Sequence, residues 1–311
     1  MNLTSCHHNP IAAVQAINGC TKFNNMITMV LPFVQDWSAG DDTVPLRMLN
    51  VGANKGYEVA SFLERYQPSR GVTRRRWYMG IRRIAADAKS GYLTWISRGA
   101  CGDGRQSIRE EKELLTSKDS VRHVEVHAVE LMDTNAAIIR NITKELHVND
   151  IVHVYQQAVS NGTSLVQIPS RAHLGSERGS ICTHKCRKHK EVMSATLDDF
   201  VMMHNLAPLF HVIIDTEGWD ALVLEGFRAT LKRQQIGILE FEYHTYGYWD
   251  TKNPEARSLR NTVQWLKEEA GYSCFFQASD NLIPISPPCW ADEFEIRRWS
   301  NVLCLQARTI S

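Results

Sequence analysis

Arg47-Met-Leu-Asn50-Val-Gly52-Ala-Asn54-Lys-Gly56-Tyr57-Glu-Val-Ala-Ser-Phe-Leu-Glu-Arg-Tyr66 is the stretch that decides the fold. A short apolar run stops at a glycine, and Val59, Ala60, Phe62, Leu63 and Tyr66 then recur at helical spacing. Strand, glycine turn and helix open a βαβ unit. Glycines at such a junction let the backbone turn sharply and let a ligand approach the main chain. A tight turn that binds nothing reads the same way, so this loop by itself speaks to fold and not to function.

Working outward, the alternation of strand and helix continues. Residues 123–130 read as a strand, 134–146 as a helix and 151–159 as a strand. Val166 to Ile168 and Val192 to Ala195 read as two arms of a hairpin. Residues 197–203 read as a short helix N-capped by Thr196, with Asp199 in its first turn. Phe210-His-Val-Ile-Ile-Asp215 is a buried-strand signature, followed by a helix over 221–231 and a strand over 235–243. A helix over 256–269 and an antiparallel pair, 272–277 with 301–306, close the pattern. The prediction is an α/β, doubly wound, mostly parallel sheet with helices on both faces. It forms one domain over 1–311, with an N-terminal extension over 1–45 and a long insertion over 67–122. The insertion carries Arg74-Arg75-Arg76 and Arg82-Arg83 and reads as a segment packed on the domain, helical near Ser107 to Ser117, a solvated loop-and-helix excursion with no role in chemistry being preferred. The competing reading is a cover that steers an anionic substrate.

The totals narrow the class. A 43% hydrophobic and 22% charged composition supplies an ordinary globular core. Lys+Arg (35) nearly balances Asp+Glu (34), so no general field draws the chain to nucleic acid or to an anionic membrane. The early apolar stretch Met26 to Val34 is too short to span a bilayer, and the first residues lack a secretory pattern, which favours a cytoplasmic location. Sequons stand at Asn2, Asn141 and Asn161. The eight cysteines are expected to be mostly free buried thiols, Cys6, Cys20, Cys101, Cys274, Cys289 and Cys304 among them. Cys182-Thr-His184-Lys-Cys186-Arg-Lys-His189 supplies four soft ligands in one short loop. Its spacing is tighter than a zinc knuckle and it has no second half, so a basic hairpin loop is preferred over zinc and no metal is assigned. A Cys182–Cys186 disulfide fits an oxidising compartment.

Three features converge on a nucleoside cofactor. The glycine loop with Asn50, Gly52, Asn54 and Gly56 ends the first strand, Glu130 ends the second, and Ala158 follows the third. An acid at the second position is where an open α/β sheet holds a ribose, and a small residue at the third leaves room for a flat base. The G-x-G-x-x-G spacing that receives a dinucleotide pyrophosphate is missing. A second cluster, Asp215-Thr-Glu217-Gly-Trp-Asp220 with Glu240-Phe-Glu242-Tyr-His244, gathers acids at the ends of two core strands. Crowded carboxylates cost stability unless used, and Asp215, Glu217, Glu240 and His244 are the candidates for acid–base work. The competing readings are that Glu217 caps the helix beginning near Trp219 and that His244 pairs with a neighbour. Aromatics nearby (Trp219, Tyr243, Tyr246, Tyr248, Trp249) suit a sugar ring or, equally, the core.

The sequence resembles the FkbM family of S-adenosylmethionine-dependent methyltransferases. The resemblance lies in Asn50 to Gly56, Glu130, Ala158-Val-Ser-Asn161, Thr196-Leu-Asp-Asp-Phe200, Ile214-Asp-Thr-Glu-Gly218 with Leu222 to Gly226, and Leu239-Glu-Phe-Glu-Tyr-His244. It covers residues 47–66 and 123–245. It implies a class I, Rossmann-like methyltransferase sheet of seven strands with the last hairpin reversed. It also implies S-adenosylmethionine as cofactor and transfer to a hydroxyl of a small molecule or carbohydrate. On that basis Gly52, Asn54 and Gly56 flank the methionine part, Glu130 holds the ribose and Ala158 borders the adenine, while His244 or Glu217 is the base. The chain departs from the family where Asn50 replaces an Asp, where Leu131 replaces a Pro, and in its long insertion. The alternatives are a nucleotide-dependent oxidoreductase on a similar sheet and a non-catalytic binding module.

Overall fold

Leu46–Val51 is a strand because its side chains are apolar on both faces and all but Arg47 are buried. The computed structural model describes residues 6, 9–17, 44–87, 123–170, 174–176, 179, 181–182, 188–278 and 281–306. In chain order its main elements begin α1 (Pro10–Ala16), β1 (Leu46–Val51), α2 (Tyr57–Tyr66), α3 (Arg74–Asp87), β2 (Val124–Glu130), α4 (Asp133–Glu145) and β3 (Val152–Gln156). They continue with β4 (Leu165–Pro169), β5 (His189–Ala195), α5 (Leu197–Met203), β6 (Leu209–Ile214), α6 (Asp220–Glu225), α7 (Arg228–Lys232) and β7 (Ile236–Tyr243). The last are α8 (Leu259–Glu268), β8 (Tyr272–Gln277), β9 (Leu282–Pro284) and β10 (Ser300–Gln306). These elements fall into two compact units. One comprises Asp42–Ala158 and Leu165–Met193, the other Met1–Asp41, Val159–Ser164 and Ser194–Ser311.

In the first unit β1 pairs in parallel with β2, Leu46 opposite Val124 through Val51 opposite Val129. β2 pairs in parallel with β3, Val126 opposite Val152 through Glu130 opposite Gln156. The first part of the expected insertion is a 14-residue helix, α3. Trp77, Tyr78 and Ile81 on its inner face are buried. Each large apolar side chain so removed from water is worth about 1.5–3 kcal/mol, whereas exposed ion pairs such as Arg83–Glu145 give roughly 0–1. Packing therefore fixes this helix, and its arginines only line the outer face. Gly80 permits the fit: a Cβ there would lie 3.2 Å from Ile142 of α4. β4 and β5 form the expected hairpin, with Val166 opposite Val192.

In the second unit β6 and β7 are parallel, Leu209 opposite Ile236 through Ile214 opposite Phe241. β10 lies antiparallel between β7 and β8, and β9 is antiparallel to β8 at the edge. The first unit thus holds three parallel strands and the second five of mixed direction, which corrects the expected mostly parallel seven. The extra strand is β9, three residues ending in Pro284, too short for a periodic pattern to register. Thr196 caps α5 as expected, its hydroxyl oxygen accepting from the Asp199 N–H at 3.0 Å. The helix expected over 221–231 is two, α6 and α7, broken after Gly226. A Cβ at Gly226 would stand 2.2 Å from the Ser160 carbonyl oxygen, so the chain passes too close for a side chain.

The free-thiol expectation is overturned for Cys6, Cys274, Cys289 and Cys304, while Cys20 and Cys101 lie outside the described residues. Cys6 pairs with Cys289 and Cys274 with Cys304, and Cys182 is also disulfide-bonded. Cys274 and Cys304 are register partners on β8 and β10, a spatial neighbourhood that sequence spacing does not encode. A disulfide sulfur is no thiolate ligand, which removes Cys182 from any zinc set. His184, Cys186, the apolar stretch Met26 to Val34 and the helix expected near Ser107 to Ser117 lie outside the described residues. Among the described residues no helix is long and apolar enough to cross a membrane.

Candidate active site

The glycine loop is tied to the end of β2. Gly52 takes φ +77, a left-handed turn that glycine adopts without cost, and its N–H donates to the Val129 carbonyl at 2.8 Å. The Asn54 N–H donates to one oxygen of Glu130 at 2.6 Å, and the Met132 N–H donates to the other at 2.7 Å. Glu130, 4% exposed, therefore locks the loop as a carboxylate between two backbone donors. The Gln157 N–H donates to the Glu130 carbonyl at 3.2 Å, which sets Ala158, buried, beside the same strand end.

Two polar atoms of this loop are buried without a partner, Asn50 Nδ2 and Asn54 Oδ1. Orphaned buried amides are rare in native interiors, and here a donor and an acceptor face the lack together. A polar ligand group of mixed donor and acceptor character satisfies both, so the residues present fit a nucleoside carrying an amino acid. Gly56 has a different duty. A Cβ at Gly56 would sit 2.7 Å from the Trp77 ring, and the Trp77 indole N–H donates to the Lys55 carbonyl at 2.8 Å. Its missing side chain serves the protein's own packing. Lys55, 2% exposed, donates through Nζ to the Gly175 carbonyl at 3.3 Å, and Gly175 in turn donates to Asn135 Oδ1 at 3.1 Å. Lys55, Trp77 and Asn135 are supports that sequence reading missed, because nothing in their spacing ties them to the loop.

In the second unit Asp215, Glu217 and His244 come together, joined by Asp220, Glu242, Tyr246 and Trp299. Asp220 is fully buried and accepts from the N–H groups of Thr216 (3.0 Å) and Gly218 (3.1 Å). It thus ties together the turn before α6, while the N-cap of that helix, Trp219, has no side-chain cap hydrogen bond, so Glu217 does not cap it. Glu217 stands at φ +56, a conformation that non-glycine residues rarely hold, and Gly218 follows at φ +91. Gly218 and Gly247 meet backbone to backbone: a Cβ on Gly247 would lie 2.3 Å from the Gly218 carbonyl oxygen. This close approach brings the Tyr246 hydroxyl onto the Glu217 carboxylate, to which it donates. Burial, then the charge of Asp215, pushes the Glu217 carboxyl up to about 7.

Beneath them His244 Nε2 lies 2.6 Å from Glu242 Oε2, and the Trp299 indole N–H donates to Glu242 Oε1 at 2.6 Å. Burial raises Glu242 to about 7 despite a hydrogen bond with Asp215 and this indole. His244 is 6% exposed and already engaged, so the reading in which it pairs with a neighbour holds; Tyr246 partly covers it, ring centroids 4.3 Å apart. Glu240 belongs to a deeper level. It lies 3.6 Å from His211, away from the Glu217 carboxylate, and its Oε2 accepts no hydrogen bond. Glu242 was within reach of sequence reading: Glu240, Glu242 and His244 alternate, and alternate strand residues share a face. Tyr246 and Trp299 carried no such signal.

The sequence matches the family described as "Methyltransferase FkbM domain" over residues 90–274, more than half of the chain. The span includes Glu130, Ala158 and every acid above, and it begins after the glycine loop. No curated protein matches the sequence. Solved structures similar to the chain include the N-terminal domain of human METTL16, 6% identical over 90% of this chain and 69% of that one, with a TM-score of 0.38. The O-methyltransferase from Bacillus cereus in complex with SAH is 12% identical over 95% and 86%, at 0.39. Cofactor-bound Rv0187 from MTB is 11% identical over 97% and 84%, at 0.37. The family match settles what the chain is: it belongs to the FkbM methyltransferases and is an S-adenosylmethionine-dependent methyltransferase.

Proposed function

We propose that the enzyme methylates a hydroxyl oxygen of a small molecule or carbohydrate, with Glu217 as the base. The observation that carries this reading is the state of Glu217. Glu217 caps no helix, it and Asp215 are the partly exposed members of the acid group, and its carboxyl is poised at about 7. A base with that affinity can take a hydroxyl proton as the oxygen attacks and release it to water at neutral pH. His244, buried and held by Glu242, is assigned a positioning role through Tyr246, whose hydroxyl bridges Glu217 and lies 3.3 Å from His244 Nε2.

On this proposal Asn50 and Asn54 take the amino and carboxylate groups of S-adenosylmethionine. Glu130, held in shape by Asn54 and Met132, faces the ribose, and Ala158 borders the adenine. When bound, the cofactor supplies an electrophilic methyl group on a sulfonium. The chain's own residues align the acceptor oxygen, remove its proton and limit water. Three disulfide-bonded sites favour an oxidising compartment over the cytoplasm expected from sequence.

The test is methyl transfer from isotopically labelled S-adenosylmethionine to a panel of sugars and polyols, with the product examined by NMR. A methyl carbon shift typical of a methyl ether is expected. A methyl group on nitrogen, sulfur or carbon would overturn the oxygen assignment.

A further inference from the structure

The acids of the second unit do not end at Glu242. Ile213 is opposite Glu240 and Ile214 opposite Phe241, so Asp215 continues level with Glu242. Asn301 is opposite Glu242 on the other side. Val302 is opposite Phe276, so Gln277 is level with Asn301. Side chains in one register row share a sheet face. Asp215, Glu242, Asn301 and Gln277 therefore form a single polar row across β6, β7, β10 and β8. Strands stand about 4.8 Å apart, which puts Gln277 roughly 10 Å from Glu242.

Gln277 is fully buried, and both its amide atoms, Nε2 and Oε1, lack a hydrogen-bond partner. A dry amide at the centre of a sheet weakens the fold, and a Leu or Met of similar shape would remove that penalty. Residues that cost stability concentrate where function needs them. A primary amide offers one donor pair and one acceptor, the complement of an uncharged hydroxyl. At the other end of the row stand Asp215, Glu217, Asp220 and Glu242, which disfavour an anionic acceptor.

We infer that Gln277 is a specificity-determining residue that binds a second, unreacting hydroxyl of a neutral polyol or sugar. The inference rests on the hydroxyl-methylation reading above and deepens it to a substrate class. Gln277 is fully enclosed in this conformation, so an entering acceptor must displace part of what encloses it. The N-terminal segment is tied down at this end: Ile17 bridges Ala278, the residue after Gln277, and Arg298 donates to the carbonyls of Val14 and Ile17.

The experiment compares the full chain with Gln277→Met, using S-adenosylmethionine with methyl glucoside, myo-inositol and maltose as neutral probes and glucuronate as the anionic one. Wild type is expected to methylate at least one neutral probe and to leave glucuronate untouched. Gln277→Met is expected to raise KM for that probe about ten-fold, with kcat within about three-fold and the melting temperature unchanged or higher, the pattern of lost uniform binding. Gln277→Asn, which keeps the amide but shortens its reach, is expected to raise KM likewise and serves if the Met variant does not fold. A KM unchanged in both variants would mean that Gln277 holds only water or the fold, and the subsite would be lost while hydroxyl methylation stood. If wild type methylates no neutral probe, the hydroxyl reading fails, and the subsite fails with it.

Discussion

The loop over residues 50–56 and the acid cluster over residues 215–246 each follow the carboxyl end of a parallel strand, yet they treat their polar groups in opposite ways. The loop has one carboxylate, Glu130, and satisfies it with two backbone N–H groups. What it leaves open are neutral amide atoms on Asn50 and Asn54. The cluster crowds Asp215, Glu217, Asp220 and Glu242 together, and burial pushes Glu217 and Glu242 up to about 7. The first arrangement suits holding a polar molecule by fixed dipoles; the second suits holding and releasing a proton. On the function proposed above, the difference means that binding and chemistry draw on separate residue sets, each of which can be broken alone.

The largest effect is expected from Glu217→Gln, which keeps shape and removes the proposed base. Its kcat should fall by about 10²- to 10⁴-fold, the range of general-base catalysis, in a labelled-methyl assay. Retained turnover would move the base elsewhere in the cluster. Glu130→Ala removes the acceptor of two charge-assisted hydrogen bonds, each worth about 1.5–3 kcal/mol, and releases the loop. It should weaken S-adenosylhomocysteine binding at least about ten-fold by calorimetry, beyond any change in melting temperature. Gly247→Ala forces a Cβ against the Gly218 carbonyl at φ +68 and should cost about 1–3 kcal/mol in denaturant unfolding. It should also lower kcat, because Glu217 and Tyr246 flank that contact.

A smaller effect separates the two regions by pH. The folded pKa of Glu217 lies above its ordinary 4.5, so folding favours its neutral form. Its contribution to stability is complete below about pH 4.5 and is lost as pH rises through about 7. Glu217→Gln, always neutral, should melt like wild type near pH 4 and a few degrees higher near pH 8. A gap that shrinks toward high pH would contradict the burial of that carboxyl.

How much of this was legible in the sequence depends on how local each feature is. The βαβ opening, Glu130 at the end of β2 and the acids after β6 were readable, because glycine turns and buried-strand runs are local patterns. The alternation Glu240, Glu242, His244 was present, so Glu242 was as legible as Glu240, yet its hydrogen bond from Trp299 was not. Trp299, in a bend 57 residues after Glu242, and Trp77, 22 residues after Lys55, act across distances that no local period encodes. The disulfides Cys6–Cys289 and Cys274–Cys304 join separations of 283 and 30 residues, and only the fold brings them together. The short edge strand β9 escaped because three residues carry no period, and the break at Gly226 because it is dictated by Ser160, remote in sequence.

The most direct test of divided labour is a calorimetric titration of S-adenosylhomocysteine into Glu217→Gln. If the loop alone holds the cofactor and the acids alone move the proton, the dissociation constant stays within about three-fold of wild type. A loss of binding of about thirty-fold or more would show that the acids are part of the cofactor's own seat, and the separation drawn here would be wrong.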